Sequence, residues 1–393
     1  MRVCVLSHLY PNPAQPTRGL FVQQHIRALR AAGAEVSVIS PVPWVPPGLA
    51  ALRSRWRSLR SIPASHEAQE GTVLHPRFFT LPQARWRRRE GTSMARSILP
   101  LLAGRSFDLL HAHTAVPDGD AARQLATRVG RPFVCTIHGY DALWLRSPGP
   151  VRTAILAVFR EAARVICVSE RVRTSCLEHD PRPDHFSVIH HGVDLPAEPR
   201  DPWLKLPTGR RVILSVGNLI PQKGFAELLE ALAMVRTSCP SVHLVIVGSG
   251  PELLRLRRLR AALDLRDHVD FVGWQPHERL LALYPQADVF CLASRDEGFG
   301  VVYLEAMAHG IPVIGSRGEG IADIIVDGDN GLLVPACEPA PLASAITCLL
   351  GDRELRRRLG TAGRETVAGR LTWAENAARH LQLYRHVVGS ESD

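Results

Sequence analysis

Lysine is nearly missing from this 393-residue chain: Lys205 and Lys223 are the only two among 47 basic residues, and the rest are arginine. No apolar run approaches the ~20 residues that span a bilayer. The apolar start of MRVCVLSHLYPNP turns polar at Ser7 and His8, too early for a secretory leader. The eight cysteines form no C-x-x-C pair, which argues against a zinc ribbon. Cys4, Cys135, Cys167 and Cys291 lie in apolar runs, where a free thiol acts as a small hydrophobe, and a reducing cytosol is the expected compartment. Aromatic residues make up only 6% of the chain, few for the stacking platforms of a polymer-degrading cleft. There is no fixed-period repeat. No recognised nucleic-acid-binding motif accompanies the positive charge, so no nucleic-acid partner is expected.

What the chain does have is core and an uneven charge. Hydrophobic content of 46% against 22% charged supports packed domains, and the length suggests two or three of them. The net charge is +9, yet residues 1–100 alone carry fourteen arginines and four glutamates, a net +10. LAALRSRWRSLRSI (49–62) sets Leu49, Leu52, Trp56 and Leu59 at helical spacing, with Arg53, Arg55, Arg57 and Arg60 among them. RWRRRE (85–90) adds a second cluster. A basic amphipathic helix suits an anionic membrane surface; a solvated helix of an arginine-rich chain is the plainer account.

Short apolar strands alternate with helical stretches through the first half: RVCVLSH (2–8), EVSVIS (35–40), LLHAH (109–113), FVCTIH (133–138), RVICVS (164–169) and FSVIHH (186–191). Between them lie LFVQQHIRALRAAG (20–33), ending at Gly33, and DGDAARQLATRVG (118–130), where Asp118 and Asp120 read as helix caps. A proline-rich break at 190–210 reads as a linker. The rhythm restarts with RVILSVGNL (211–219), VHLVIVGSG (242–250), VDFVGW (269–274), ADVFCLAS (287–294), IPVIGS (311–316) and GLLV (331–334). Continuously apolar strands mark parallel sheets covered on both faces. The expectation is an α/β protein of two doubly wound domains, residues 1–192 and 193–370, followed by a helical segment at 371–393.

Ligands of such sheets lie beyond the carboxyl ends of the strands, so the glycines there are informative. In VGNLIPQKGF (216–225), Gly217 lets the chain turn and Lys223 falls near a helix start, where the dipole disfavours a cation unless phosphates reverse the sign; a solvated lysine is the alternative. In VGSGP (247–251), Gly248 and Gly250 permit close approach of a ring or a phosphate, or simply form a βα turn. In SRDEGFGVVYLEAMAHG (294–310), the backbone N–H groups near Gly298, Phe299, Gly300 and Val301 open a helix and form an anion site. Glu305 sits about one turn inside that apolar helix and needs partners: the vicinal hydroxyls of a ribose, or a buried arginine. Glu297 precedes the helix, either facing whatever adjoins the phosphates or solvated in its loop.

Together these segments resemble the family 4 retaining glycosyltransferases, of GT-B architecture. Glu297-x7-Glu305 within EGFGVVYLEAMAHGIPVI carries the resemblance most specifically. VGNLIPQKG is similar to the family's phosphate-binding segment, VGSGP to its nucleotide loop, TRGLFVQQHIRAL (17–29) to its N-terminal glycine loop, TIHGYD (136–141) to the segment of its active-site histidine, and VIHHGVD (188–194) to its interdomain linker. SHLYPNPAQPTRGLFVQQ and HAHTAVPDG are closest to the teichuronic-acid and polysaccharide-biosynthesis branch. The resemblance implies two Rossmann-like domains facing a cleft, with the 371–393 helix packing back on the N-terminal domain. It implies transfer of a sugar from a UDP- or GDP-linked donor with retention, to a lipid-linked or polysaccharide acceptor. Carried onto this sequence, it places Glu305 on the donor ribose and Glu297 on the sugar hydroxyls. Lys223 and the amides of Gly300 and Val301 fall on the diphosphate, Gly19 near the phosphates, and His138 beside the reacting carbon. Asn218 departs from the pattern: many members have an arginine there as a second phosphate cation, so either Arg295 or another arginine compensates or the diphosphate is held less tightly.

Rival readings are a non-catalytic or epimerase-like nucleotide-sugar binder on the same architecture, and a glycoside hydrolase using Glu297 and Glu305. The hydrolase needs carboxyls about 5–9.5 Å apart across one bond, which this architecture gives no reason to expect. Two DGD triplets, at 118–120 and 327–329, suggest divalent cation ligands, but a cap and a turn explain them. No metal and no cofactor beyond the donor is expected. Such an enzyme belongs in the cytoplasm, docked peripherally on the inner leaflet if its basic helix meets anionic lipid.

Overall fold

The computed structural model describes residues 1–46, 48, 54–80, 87–196 and 202–389. The chain divides into two compact units, Met1–His190 with Trp373–Asp393, and His191–Thr372.

The first unit is built on an eight-stranded sheet: β1 (Arg2–Leu6), β2 (Glu35–Ile39), β3 (Ser65–Ala68), β4 (Gly71–Leu74), β5 (Leu109–His113), β6 (Phe133–Ile137), β7 (Arg164–Cys167) and β8 (Phe186–Val188), in the order β8-β7-β6-β5-β1-β2-β4-β3. Every neighbouring pair is parallel except β3–β4. β5 and β6 are buried at all five positions, as a sheet covered on both faces requires. The β3–β4 hairpin is an addition to the expected pattern: its SHEA strand is polar and half-exposed, so it has no apolar alternation to read.

Helix Leu20–Ala31 buries Val22, His25, Ile26, Ala28 and Leu29, an i, i+3/i+4 stripe. It packs against the C-terminal helix Trp373–Gly389 through a core that includes Ile26, Leu29, Ala377, Leu381 and Tyr384. The helix at 120–129 ends at Gly130 in the left-handed conformation. Neither expected cap operates at its start. Asp118 instead accepts from the His8 backbone N–H (3.0 Å) and ring (2.9 Å), and Asp120 pairs with Arg123 (3.0 Å).

The second unit has six parallel strands: β9 (Arg211–Val216), β10 (Val242–Val247), β11 (Val269–Gly273), β12 (Val289–Cys291), β13 (Val313–Ser316) and β14 (Leu332–Val334), in the order β11-β10-β9-β12-β13-β14. The strand order reverses between β9 and β12, and in the first unit between β1 and β5. At such a switch point neighbouring exit loops diverge and leave a crevice. The loops that frame it in the second unit are packed backbone to backbone. A Cβ on Gly248 would lie 1.9 Å from the Gly217 carbonyl oxygen, and one on Gly250 2.4 Å from that of Leu219. The two glycines of the β10 exit are thus required by the neighbouring β9 exit.

Gly248→Ala is expected to destabilise the second unit by about 2–3 kcal/mol in urea unfolding, by forcing the two exits apart. Gly351→Ala, where a Cβ meets nothing within 4 Å, stays within about 0.5 kcal/mol.

Candidate functional site

In the second unit the β9 exit runs through Gly217 and exposed Asn218 to a 3-10 turn, Pro221–Lys223, and then to helix Phe225–Ser238. Gly224 adopts φ +67 at the helix start, and a Cβ there would strike the Ala293 carbonyl at 2.2 Å. That contact seats the turn against the β12 exit, so Lys223 reaches across the switch point. Its ammonium forms an ion pair with the Glu297 carboxylate, both side chains being largely buried. The two residues assigned to diphosphate and to sugar therefore lie against each other.

The Glu297 backbone is fixed from the other side. Its N–H donates to Glu319 Oε2 (2.7 Å) and its carbonyl accepts from the Gly320 N–H (3.2 Å). Gly298 and Phe299 are buried, and Gly300, at φ +91, caps helix Val301–Ala308. The amides at the start of that helix have no intrahelical acceptor and follow Glu297 directly. Glu305 is 6% exposed. Its partners are not an arginine: His277 Nε2 donates to Oε1 and the Tyr284 hydroxyl to Oε2, each at 2.7 Å. Burial beside this carboxylate pushes the Tyr284 hydroxyl well above its ordinary pKa, so it stays a donor. Sequence pattern gave no sign of His277 or Tyr284. The only available signal was the need of a buried carboxylate for partners, which does not say where they come from.

Arg295, the candidate to compensate for the cation missing at Asn218, has its guanidinium 3.8 Å from Glu227, and its backbone N–H donates to the Gln222 carbonyl. The second DGD triplet is a turn, as read: Asp327 accepts from the Leu333 N–H and pairs with Arg317.

In the first unit Gly19 precedes helix Leu20–Ala31 at φ +61, where a Cβ would lie 2.2 Å from the Leu9 carbonyl. Phe21 of that helix packs on His138, at the β6 exit, with ring centroids 4.7 Å apart. Gly19 and His138 are thereby brought to one region of the unit. The His138 ring stacks on His113, its Nε2 3.1 Å from His113 Nδ1. Burial, with His25 and His380 nearby, pushes His138 down to about 3. It is neutral at physiological pH, suited to hydrogen bonding and not to carrying charge. Two features escaped the sequence reading: the His8–Asp118 pair across the β1/β5 switch point, and Asp141. Asp141 Oδ1 accepts from the Ala115 N–H (3.0 Å), while Oδ2 is buried without a partner.

Comparison with known proteins now bears on this geometry. Residues 19–196 match the model of Glycosyltransferase Family 4, and residues 200–366 that of Glycosyl transferases group 1. The chain is 32% identical over 283 residues to the GDP-mannose-dependent alpha-(1-6)-phosphatidylinositol monomannoside mannosyltransferase of Mycolicibacterium smegmatis, covering 66% of this chain and 72% of that one. It is 26% identical over 403 residues to the putative teichuronic acid biosynthesis glycosyltransferase TuaC of Bacillus subtilis, covering 99% of each. Sucrose-phosphate synthase from Thermosynechococcus elongatus has the same fold at a TM-score of 0.82 and 25% identity, over 99% of this chain and 100% of that one. Anabaena HepE in complex with UDP matches at 0.74 and 19%, over 98% and 99%. The fold and the matches define a glycosyltransferase of GT-B architecture. The chain belongs to glycosyltransferase family 4.

Burial raises Asp141 to about 7, with Asp118 adding to the effect. The folded protein therefore binds more protons than the unfolded chain between about pH 4 and 7, and stability falls as pH rises through that window. Asp141→Asn keeps the Oδ1 acceptor and removes the charge. Its stability advantage over wild type is expected to be small at pH 4, to grow to on the order of 2–4 kcal/mol by pH 8, and to level off there in thermal melts.

Proposed function

We propose that this glycosyltransferase moves a hexose, with retention of configuration, from a nucleoside diphosphate sugar to a lipid-linked or polysaccharide-precursor acceptor. One observation carries the reading: a lysine–glutamate pair at the switch point, beside a helix N-terminus that buries, one turn in, a second glutamate held by a tyrosine and a histidine. Bond breaking places negative charge on the departing diphosphate, and Lys223 with the amides around Gly300 and Val301 supplies fixed positive potential for it. Glu305 accepts from the ribose hydroxyls. Glu297, exchanged off Lys223 by the diphosphate, accepts from the sugar hydroxyls, and neutral His138 hydrogen-bonds the sugar. The bond from the sugar's anomeric carbon to phosphate oxygen breaks, the acceptor oxygen bonds to that carbon, and its proton passes to the departing phosphate. Lys223 and the amides fill the place a divalent ion would take at the diphosphate, so donor binding needs no metal.

The names of the relatives support both halves of the substrate reading. HepE is a UDP complex, the mycobacterial relative is GDP-mannose-dependent and acts on a phosphatidylinositol mannoside, and TuaC is assigned to teichuronic acid synthesis. No described helix is long and apolar enough to cross a membrane, so a lipid-linked acceptor is met at a surface. The basic stretch at 49–62 is described only from Ser54. Over Ser54–Ser61 it is helical, with Leu59 buried against Val42 and Ile62, while Arg57 and Arg60 are exposed. Leu59 is thus spent on the protein's own core, while Trp56 is only half-buried, so charge is the main contribution offered to anionic lipid.

Calorimetry with UDP, GDP and their sugars tests the donor site; no heat with any nucleoside diphosphate refutes it. Lys223→Ala is expected to weaken nucleoside diphosphate and pyrophosphate alike, by roughly 10–100-fold for a lost charge-assisted contact. Glu305→Gln weakens the nucleotide by about tenfold and leaves pyrophosphate unchanged. On vesicles, sedimentation is expected only with anionic lipid and to drop by roughly tenfold in the Arg57→Glu, Arg60→Glu double variant. Equal sedimentation with zwitterionic vesicles removes the membrane part.

A further inference from the structure

Helix Leu20–Ala31, strand β5 and the C-terminal helix meet over histidines that the transfer chemistry does not use. His25, His111 and His113 are all buried, and one ring nitrogen of each lies within 4.8 Å of the others. His25 Nδ1 is 2.8 Å from Asn376 Oδ1, while Asn376 Nδ2 donates to the His190 carbonyl at 2.7 Å. The second bond orients the amide, so Oδ1 accepts and His25 carries its proton on Nδ1. His25 Nε2 is then a bare lone pair, buried with no hydrogen-bond partner. His113 Nε2 is likewise buried without a partner, its Nδ1 being engaged with His138. The two rings are neighbours, with centroids 5.4 Å apart, and native interiors rarely leave ring nitrogens without partners.

We propose that His25 Nε2, His113 Nε2 and one ring nitrogen of His111 form a site for a divalent transition-metal ion of the zinc class, built from residues of the first unit alone and using none of the donor-binding residues. Three imidazoles leave a fourth position for water. Zinc–nitrogen bonds of about 2.0–2.1 Å set the ligand nitrogens about 3.3 Å apart, so the rings draw in by roughly an ångström. The outer partners are present. His25 Nδ1–H is held by Asn376. His111 bonds Thr136 Oγ1 through Nε2 and the Tyr384 hydroxyl through Nδ1, each at 2.7 Å. One of these two hydrogen bonds gives way to the metal at that nitrogen, and the other stays as the orienting bond. Metal on His113 Nε2 places that ring's proton on Nδ1, so His113 donates to His138 Nε2 and His138 keeps its own proton on Nδ1. That consequence rests on the sugar-contacting role of His138, but the site itself does not.

The test uses the full chain without an affinity tag, stripped with chelator and titrated with Co2+ or Zn2+. One equivalent is expected per chain, with the visible absorption of tetrahedral nitrogen-ligated cobalt. His25→Gln and His113→Gln each weaken binding by at least about tenfold, whereas His66→Gln, whose ring pairs with His75 instead, leaves it unchanged. X-ray absorption at the zinc edge of the wild type needs no variant to fold, and a nitrogen and oxygen shell with imidazole scattering supports the site. No uptake by the wild type, a sulfur shell from the cysteines, or binding unmoved by both substitutions overturns it. Nucleoside diphosphate calorimetry before and after stripping separates the two sites. Equal heats are expected, and nucleotide binding lost on stripping would move the metal to the donor site and overturn the assignment.

Discussion

The meeting of Lys223 and Glu297 depends on where a parallel sheet changes direction. Between β9 and β12 the crossover connections leave on opposite faces, so the loops beyond their carboxyl ends part and nothing of the sheet fills the gap. Side chains 74 residues apart in sequence pair there. Close backbone packing holds the pair in register. Gly224 presses on the Ala293 carbonyl, Gly248 on that of Gly217, and Gly320 on that of Gly298, each so closely that a Cβ would overlap. A charge pair on loops built this way loses little further order when a ligand replaces one partner. The first unit repeats the arrangement with other chemistry. His8 follows β1, Asp118 follows β5, and they bond at 2.9 Å across the reversal of that sheet.

The sheets were legible because burial on both faces makes every strand position apolar, and the βα rhythm then follows from length alone. All twelve apolar strand segments quoted from the sequence correspond to strands, each shortened at one end or both except Leu109–His113. The β3–β4 hairpin was not legible, because a half-exposed edge imposes no pattern on its residues. At the site, residue types near strand exits were legible and their partners were not. A glycine pair after β10 reads as room for a ligand or as a simple βα turn, and the carbonyls of Gly217 and Leu219 lie where its Cβ atoms would be. Asp118 and Asp120 read as caps, in preference to cation ligands, because local offsets report only on neighbours in the chain. Asp118 bonds to His8, 110 residues earlier in the chain, a contact that only strand order can reveal. The histidine group shows the same limit, since His25, His111 and His380 come together from three separate elements.

Glu297, before helix Val301–Ala308, and Glu305, inside it, share one short stretch of sequence and differ in what their surroundings let them do. An arginine facing Glu305 would grip both oxygens side by side and fill the directions a diol needs. His277 and Tyr284 give one bond to each oxygen instead. A carboxylate has about four acceptor positions, so acceptor capacity remains on both oxygens, and it remains because the partners are single donors. Glu297 is held by a full opposite charge, and that makes it exchangeable: in the proposed donor complex a diphosphate, with more negative charge than a carboxylate, competes for the same ammonium. On that reading the displaced Glu297 is a partly buried anion in need of donors, and sugar hydroxyls provide them. Donor binding as proposed is then a trade of partners with little fresh desolvation, since the site is charged but already paired.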